Sequence, residues 1–109
     1  MLCFIHPGCP KNFNQLFGDI AAKKYITIAE DGSWMELDTN PSNKDDYFDL
    51  ESYDMISTIN DRLGFDSDLC KEMGSTRSVD GRQSAECENY SVTWYYHPDN
   101  GLEAIYRMK

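Results

Sequence analysis

Oxygen-bearing side chains between residues 38 and 49 have a spacing that could surround a cation. Asp38, Asn40, Ser42, Asp46 and Asp49 stand at positions 1, 3, 5, 9 and 12 of a calcium-loop pattern. The match is partial, because position 6 is Asn43 instead of glycine and Pro41 stiffens the loop. The alternative is a turn-rich linker whose Asp45 or Asp46 caps the following helix.

A second group of metal-ligating side chains lies near the beginning of the sequence. Cys3, His6 and Cys9 could supply three zinc ligands, with Cys70 or Cys87 as the fourth. The spacing differs from that of familiar zinc sites, in which cysteines pair two to four residues apart, so packed free cysteines are favoured. A Cys3–Cys9 or Cys70–Cys87 disulfide is a further alternative for an exported protein.

Nucleophilic catalysis would need a cysteine beside an imidazole that a carboxylate orients, and His97 with Asp99 is the best candidate pair. Nothing in the sequence brings Cys87 or Cys9 to His97, which stands in a turn before Pro98. The sequence has no glycine-rich phosphate loop, no His-Glu-x-x-His motif and no serine elbow. We therefore expect a protein without a catalytic site and without a cofactor.

Aromatic residues near the end of the chain form the remaining candidate site. Alternation places Trp94 and Tyr96 on one face of a strand, and we expect Tyr95 and Tyr106 to share the other. One of these sets must belong to the core. The other is either exposed for binding, through rigid rings that lose little entropy, or covered by the amino-terminal arm or the 75–88 loop. The predicted binding residues are Trp34, Trp94, Tyr95, Tyr96, His97 and Tyr106.

Composition limits the classes of partner. The 109 residues include 40% hydrophobic and 27% charged side chains, which predicts one folded domain over 1–109 with residues 1–11 as an amino-terminal arm. A net charge of −9 disfavours nucleic acids, whose phosphates need clustered lysine and arginine. No apolar run approaches the roughly 20 residues that span a bilayer, so we expect no membrane insertion and a cytoplasmic location.

The first half of the chain has clear local signals. Asn12 and Gln15 have capping-box spacing, and the apolar stripe that follows predicts a helix over residues 13–23. Residues 25–38 alternate as a hairpin around Asp31-Gly32. That turn predicts Ile28 opposite Met35 and Ile26 opposite Leu37 on the core face, with Thr27 opposite Glu36 on the other face.

The second half predicts two more helices and another hairpin. One helix follows Asp46, ends before Gly64 and presents Ile56 and Ile59 to the sheet, and a short helix then ends at Gly74. Residues 75–88 have no periodicity and are predicted to form a polar loop. The final hairpin pairs residues 90–96 with 102–108 through a four-residue loop, which predicts Trp94 opposite Ile105 and Tyr95 opposite Ala104.

Together these elements predict an α+β fold, with a four-stranded antiparallel sheet from two hairpins, helices on one face and the order α-β-β-α-α-β-β. Our leading hypothesis is a non-catalytic binding module of bacterial type for a protein or small-molecule partner, with homodimerisation left open. An alternative is an acidic inhibitor of a basic enzyme, and another is a calcium- or zinc-stabilised domain. The inhibitor's contact residues would be Asp45, Asp46, Asp49, Glu51 and Asp54.

Overall fold

A computed structural model describes residues 11–41, 50–98 and 101–109. In chain order, the elements are α1 (Phe13–Phe17), a 3-10 turn (Gly18–Ile20), β1 (Ile26–Ile28), β2 (Trp34–Asp38), α2 (Leu50–Leu63), α3 (Leu69–Gly74), a second 3-10 turn (Ser78–Asp80), β3 (Gln83–Glu86), β4 (Tyr90–His97) and β5 (Gly101–Met108). The α+β class and the antiparallel sheet are confirmed.

Over the described residues, the sheet has five strands, in the order β1-β2-β5-β4-β3, and each neighbouring pair is antiparallel. The prediction of four strands is therefore wrong. The predicted element order is also wrong, because β3 lies between α3 and the final pair of strands. Strand β5 lies in the middle of the sheet. It pairs with β2 on one side and with β4 on the other, and so joins the first hairpin to the second.

The additional strand is β3, which falls inside the region predicted as a loop. Its residues pair with β4 in a regular register, with Gln83 opposite Trp94 and Ala85 opposite Val92. The strand was missed because Gln-Ser-Ala-Glu contains no large apolar residue whose alternation could reveal it. At the edge of a sheet, where few side chains are fully buried, such a polar sequence is tolerated.

The first hairpin confirms its predicted register. Ile26 lies opposite Leu37, Thr27 opposite Glu36 and Ile28 opposite Met35. The Gly32 backbone N–H donates to the Ala29 carbonyl at 2.9 Å, and Gly32 has a φ of 76°, which glycine adopts without steric cost. The turn also positions α1, because the Phe13 backbone N–H donates to the Gly32 carbonyl at 2.9 Å.

The predicted register of the second hairpin is wrong by one residue. Trp94 pairs with Ala104 and Tyr95 with Glu103, and the ladder closes at His97 opposite Gly101. Gly101 pairs with His97 as the first residue of β5, so one residue fewer than predicted separates the two strands. Because side chains alternate with a period of two, the shift moves every β5 side chain to the other face.

Two predicted helix caps are present, but the predicted length of α1 is too great. The Asn12–Gln15 capping box is present, but α1 ends at Phe17 and passes into a 3-10 turn instead of reaching residue 23. Helix α2 ends before Gly64, whose φ of 91° allows the Phe65 backbone N–H to reach the Asn60 carbonyl. Helix α3 ends at Gly74, as predicted, and buries Leu69 and Met73.

The core lies between one face of the sheet and the helices, and we call this face inner. Phe13 of α1 contacts the Tyr90 ring, and Asn60 of α2 bonds Tyr106 of β5. The Trp94 indole N–H donates to the hydroxyl of Thr76, just after α3, at 2.8 Å. Buried sheet side chains in this core are Ile26, Met35, Leu37, Tyr90, Val92, Trp94, Leu102, Ala104 and Tyr106.

Candidate protein-binding surface

The second face of the sheet carries polar and aromatic side chains, and each described helix contacts the opposite face. Cross-strand register arranges these side chains in rows across β2, β5 and β4. Asp38 lies opposite Glu103, which lies opposite Tyr95, and Glu36 lies opposite Ile105 in the next row. We define the outer sheet surface as Trp34, Glu36, Asp38, Tyr95, Glu103 and Ile105, none of which is fully buried.

Three carboxylates lie next to each other on this surface. Glu36 and Asp38 share the outer side of β2, and Glu103 is the direct cross-strand partner of Asp38. Partial burial, with the negative charges of Glu103 and Asp38, raises the pKa of Glu36 above its usual range. Partial burial also raises the pKa of Asp38, although its carboxylate accepts the Asn40 backbone N–H at 2.8 Å. Positive charge brought to this surface would relieve that repulsion.

Tyr95 borders the carboxylates and is held in place from two sides. Its hydroxyl donates to the Glu103 carboxylate, and the Arg82 guanidinium lies 5.0 Å from the centre of its ring. That hydrogen bond, with some burial, raises the pKa of Tyr95 to about 12, so the hydroxyl stays protonated at neutral pH. An aromatic ring fixed in this way loses little entropy when a partner covers it.

Apolar area completes the surface at its other end. Trp34 is 38% exposed, and Ile105 is partly exposed in the row beside it. Trp34 also lines a wide, open depression with Ala29, Glu30 and Asp31, so further carboxylates border its ring. Arg107 is the direct cross-strand partner of Trp34, so the acidic part of the surface lies around Glu36, Asp38 and Glu103. That part, beside the Tyr95 ring and Ile105, suits a basic protein surface.

The structure separates the six predicted binding residues. Trp94 and Tyr106 are buried in the core, with exposed fractions of 1% and 0%, so the expectation that Tyr106 shares a face with Tyr95 is wrong. The one-residue register shift explains this, because it moves Tyr106 to the Trp94 side. Tyr96 is half-buried against the core, and His97 is exposed at the end of β4. Trp34 and Tyr95 remain on the outer sheet surface.

Sequence reasoning missed three members of this surface: Glu36, Glu103 and Ile105. Glu36 was correctly placed on the face opposite the core, but no chemistry was attached to it. The wrong register put Ile105 opposite Trp94 and hid its position next to Glu36. Reading Gly101 as a strand residue with positive φ would have revealed the pairing of Glu103 with Tyr95.

The predicted calcium loop is only partly described. Asp38 is half-buried on the outer sheet surface and Asn40 is buried, while Ser42, Asp46 and Asp49 lie outside the described residues. Cys3, His6 and Cys9 also lie outside them. Cys70 and Cys87 are free thiols, so the structure does not contain a Cys70–Cys87 disulfide, and burial raises the pKa of Cys70. Over residues 11–41, 50–98 and 101–109, no group of three or more His, Cys, Asp or Glu side chains could hold a metal ion.

The remaining predicted residues are scattered. His97 is described, but its proposed partner Asp99 is not, and neither are Asp45, Asp46 and Asp49 of the predicted inhibitor surface. Glu51 and Asp54 are exposed on α2. Glu51 accepts the Tyr25 hydroxyl at 2.7 Å and lies 3.3 Å from Lys23 Nζ, so part of its charge is balanced within the protein.

Comparisons of the chain with protein-family models, curated proteins and solved structures gave no match. Among the described elements, no helix combines the length and apolar character needed to cross a bilayer. Function is therefore inferred from the chemistry of the surfaces themselves.

Proposed function

We propose that this protein is a non-catalytic protein-binding module whose outer sheet surface binds a basic region of another protein. The observation that carries the proposal is the register of β2, β5 and β4, which brings Glu36, Asp38 and Glu103 together beside the ring of Tyr95. A net charge of −9 extends the same negative potential over the molecule and would accelerate encounter with a positively charged partner.

Electrostatics within the surface support a cationic partner. Raised pKa values at Glu36 and Asp38 mean that the ionised carboxylates are unfavourably placed in the free protein. Lysine or arginine from a partner would supply the missing positive charge, and arginine could bond a carboxylate with two N–H groups. The gain is largest where carboxylates are partly desolvated, as they are on this face.

Aromatic and aliphatic side chains support a protein partner over a simple cation. Trp34, Tyr95 and Ile105 offer contact area that inorganic ions do not use, and Trp and Tyr are enriched among the residues that dominate protein interfaces. Strands hold these side chains on a rigid support, so binding would order few groups.

The experiment compares matched charge removals. The chain is immobilised, the proteins that it captures are identified, and the affinity of each is measured for wild type, Glu36→Gln/Glu103→Gln and the control Asp54→Asn/Glu88→Gln. Each double variant removes two carboxylates, but the control changes exposed groups outside the outer sheet surface. We expect at least about tenfold weaker binding for the first variant and little change for the second.

Salt provides an independent readout of the same interaction. Raising ionic strength from about 0.05 M to about 0.5 M should weaken wild-type binding and have a smaller effect on Glu36→Gln/Glu103→Gln. Equal loss of affinity in both double variants would reduce the effect to net charge and contradict a defined site. A binding affinity that changes in neither double variant would overturn the proposal.

A further inference from the structure

A groove runs along the free edge of β3, beside α3. Its first part is a depression of about 290 Å³ with apolar atoms of Phe65, Leu69 and Ala85 in its lining. Its second part is a more polar depression of about 250 Å³, lined by residues that include Thr76, Asp80 and Gln83. Glu72 lines both parts and connects them. We call this feature the β3–α3 groove.

Within the described residues, the side of β3 that faces away from β4 has no neighbouring strand, and this free edge borders the groove. The Cys87 backbone N–H donates to the Tyr90 carbonyl at 2.9 Å, which identifies Cys87 and Tyr90 as a hydrogen-bonded pair of the β3–β4 ladder. Antiparallel pairing alternates, so Ala85 and Gln83 also direct their backbone groups towards β4. The backbone groups of Ser84 and Glu86 then point away from the sheet, and both residues are exposed.

We propose that the β3–α3 groove binds an extended basic segment of another protein, which adds to β3 as a sixth strand. Backbone N–H and C=O groups at Ser84 and Glu86 would form the new ladder, as in other strand-addition interfaces. This surface lies at the sheet edge and contains none of the residues of the outer sheet surface. The two proposals can therefore succeed or fail separately.

The position of the two depressions predicts which side chains the added segment carries. Ala85 lines the first and Gln83 the second, and these residues point to the same inner face two positions apart. Inward side chains of an added strand have the same spacing. We therefore expect an apolar residue over Ala85, because Phe65 and Leu69 line the same depression, and a lysine or arginine two positions away, near Glu72 and Asp80.

Charge favours a basic occupant over a second copy of this chain. Five carboxylates line the groove: Asp66, Asp68, Glu72, Asp80 and Glu86. Asp80 lies 3.4 Å from an Arg77 nitrogen, and Glu86 lies 3.7 Å from Lys109 Nζ. Within the described part of the chain, no ion pair engages the other three. A second copy would bring another net charge of −9 to the same groove, and like charges would oppose its approach.

The test uses a synthetic peptide of sequence Thr-Val-Thr-Lys-Thr with blocked ends, titrated into isotope-labelled protein and followed by amide NMR shifts. A second peptide carries N-methyl groups on the amides that would face β3, and a third has glutamate in place of lysine. We expect shift changes at Ser84, Glu86 and α3, with a Kd at or below about 1 mM. Binding of either modified peptide should be at least about tenfold weaker.

Protein variants give the matching control. Ser84→Pro removes an N–H at the free edge of β3 without removing a bond to β4, and edge strands tolerate proline in that position. Ser84→Ala keeps the N–H and should bind as wild type does, while Ser84→Pro should lose at least about tenfold in affinity. If Ser84→Pro fails to fold, the N-methylated peptide tests the same hydrogen bonds.

Three outcomes would overturn the inference. The first is no shift change at β3 or α3 with peptide up to about 2 mM, well above the expected Kd. The second is equal binding of the plain and N-methylated peptides, which would show that no ladder forms. The third is a set of shift changes confined to the outer sheet surface, which would assign the peptide to that surface and leave the groove without a ligand.

Discussion

The Tyr106 hydroxyl donates a hydrogen bond of 2.8 Å to Oδ1 of Asn60, and both residues are buried, with exposed fractions of 0% and 3%. This bond connects the central strand β5 to α2 through the core. The Asn60 side chain also donates to Met73 Sδ of α3 at 3.6 Å, so one amide links both helices to the sheet. Burial raises the pKa of Tyr106 far above its usual range, which keeps the hydroxyl available as a donor.

Removing that hydroxyl should destabilise the fold. Tyr106→Phe leaves Asn60 Oδ1 without its donor in a buried position, and we expect a loss of about 1–3 kcal/mol in the free energy of unfolding. Tyr95→Phe is the control, because its partner Glu103 is partly exposed and can bond water instead. Urea unfolding measures both. A Tyr106→Phe variant no less stable than Tyr95→Phe would contradict the buried bond.

Gly101 and Gly64 offer a matched test of the hairpin geometry. Both have positive φ, 77° and 91°, so alanine at either position should cost about 1–2 kcal/mol for the backbone alone. A Cβ at Gly101 would also lie 2.7 Å from Thr39 Oγ1, whereas a Cβ at Gly64 would meet nothing within 4 Å. Thermal unfolding should therefore show a lower Tm for Gly101→Ala than for Gly64→Ala, and the reverse order would argue against the register of β4 and β5.

The carboxylate of Glu36 should give a pH-dependent effect on stability. Its pKa is raised in the folded protein above an ordinary value of 4.5, so the ionised form is penalised by folding, and this penalty is present at neutral pH. Glu36→Gln removes the penalty and should stabilise the protein at pH 7 by about 0.5 kcal/mol, a small value because solvent screens the site.

The same variant has a defined pH profile. As pH falls through the raised pKa and below the ordinary one, wild-type Glu36 becomes protonated in both states, and the advantage of glutamine should disappear. Chemical unfolding at pH 7 and near pH 4 measures the difference. If Glu36→Gln stabilises the protein equally at both pH values, the stabilisation comes from packing instead of charge.

Tryptophan fluorescence can test the two faces of the sheet. Trp34→Phe leaves Trp94, which is 1% exposed, whereas Trp94→Phe leaves Trp34, which is 38% exposed. We expect the first variant to emit at shorter wavelength and to resist acrylamide quenching, and the second to emit at longer wavelength and to be quenched readily. Similar spectra and quenching would be inconsistent with opposite environments. Trp94→Phe should also lower stability, since its indole N–H bonds Thr76 at 2.8 Å.

Local signals in the sequence predict local structure well in this protein. Asn12 and Gln15 identify the start of α1, and Gly64 marks the end of α2, because caps depend on backbone groups only a few residues away. The first hairpin register also follows from alternation, since Met35 and Leu37 must both face the core.

Long-range features were harder to predict, and one of them determines the candidate site. Strand β3 pairs through its backbone and contributes little apolar area, so its polar sequence gives no periodic signal. From the sequence, Gly101 fits either a four-residue loop or the end of a strand, and its cross-strand pairing with His97 distinguishes the two. That choice decides whether Tyr106 or Ile105 joins Trp94 in the core, and it therefore decides the composition of the outer sheet surface.

The central position of β5 makes this protein a candidate for split-protein complementation. Among the described strands, β5 alone pairs with both β2 and β4, through pairs such as Met35 with Tyr106 and Val92 with Tyr106. A fragment that ends before Gly101 would keep two separate pairs of strands, and an isolated pair is marginal in water. A separate peptide of residues 101–109 would then supply the central strand and allow the five-stranded sheet to form.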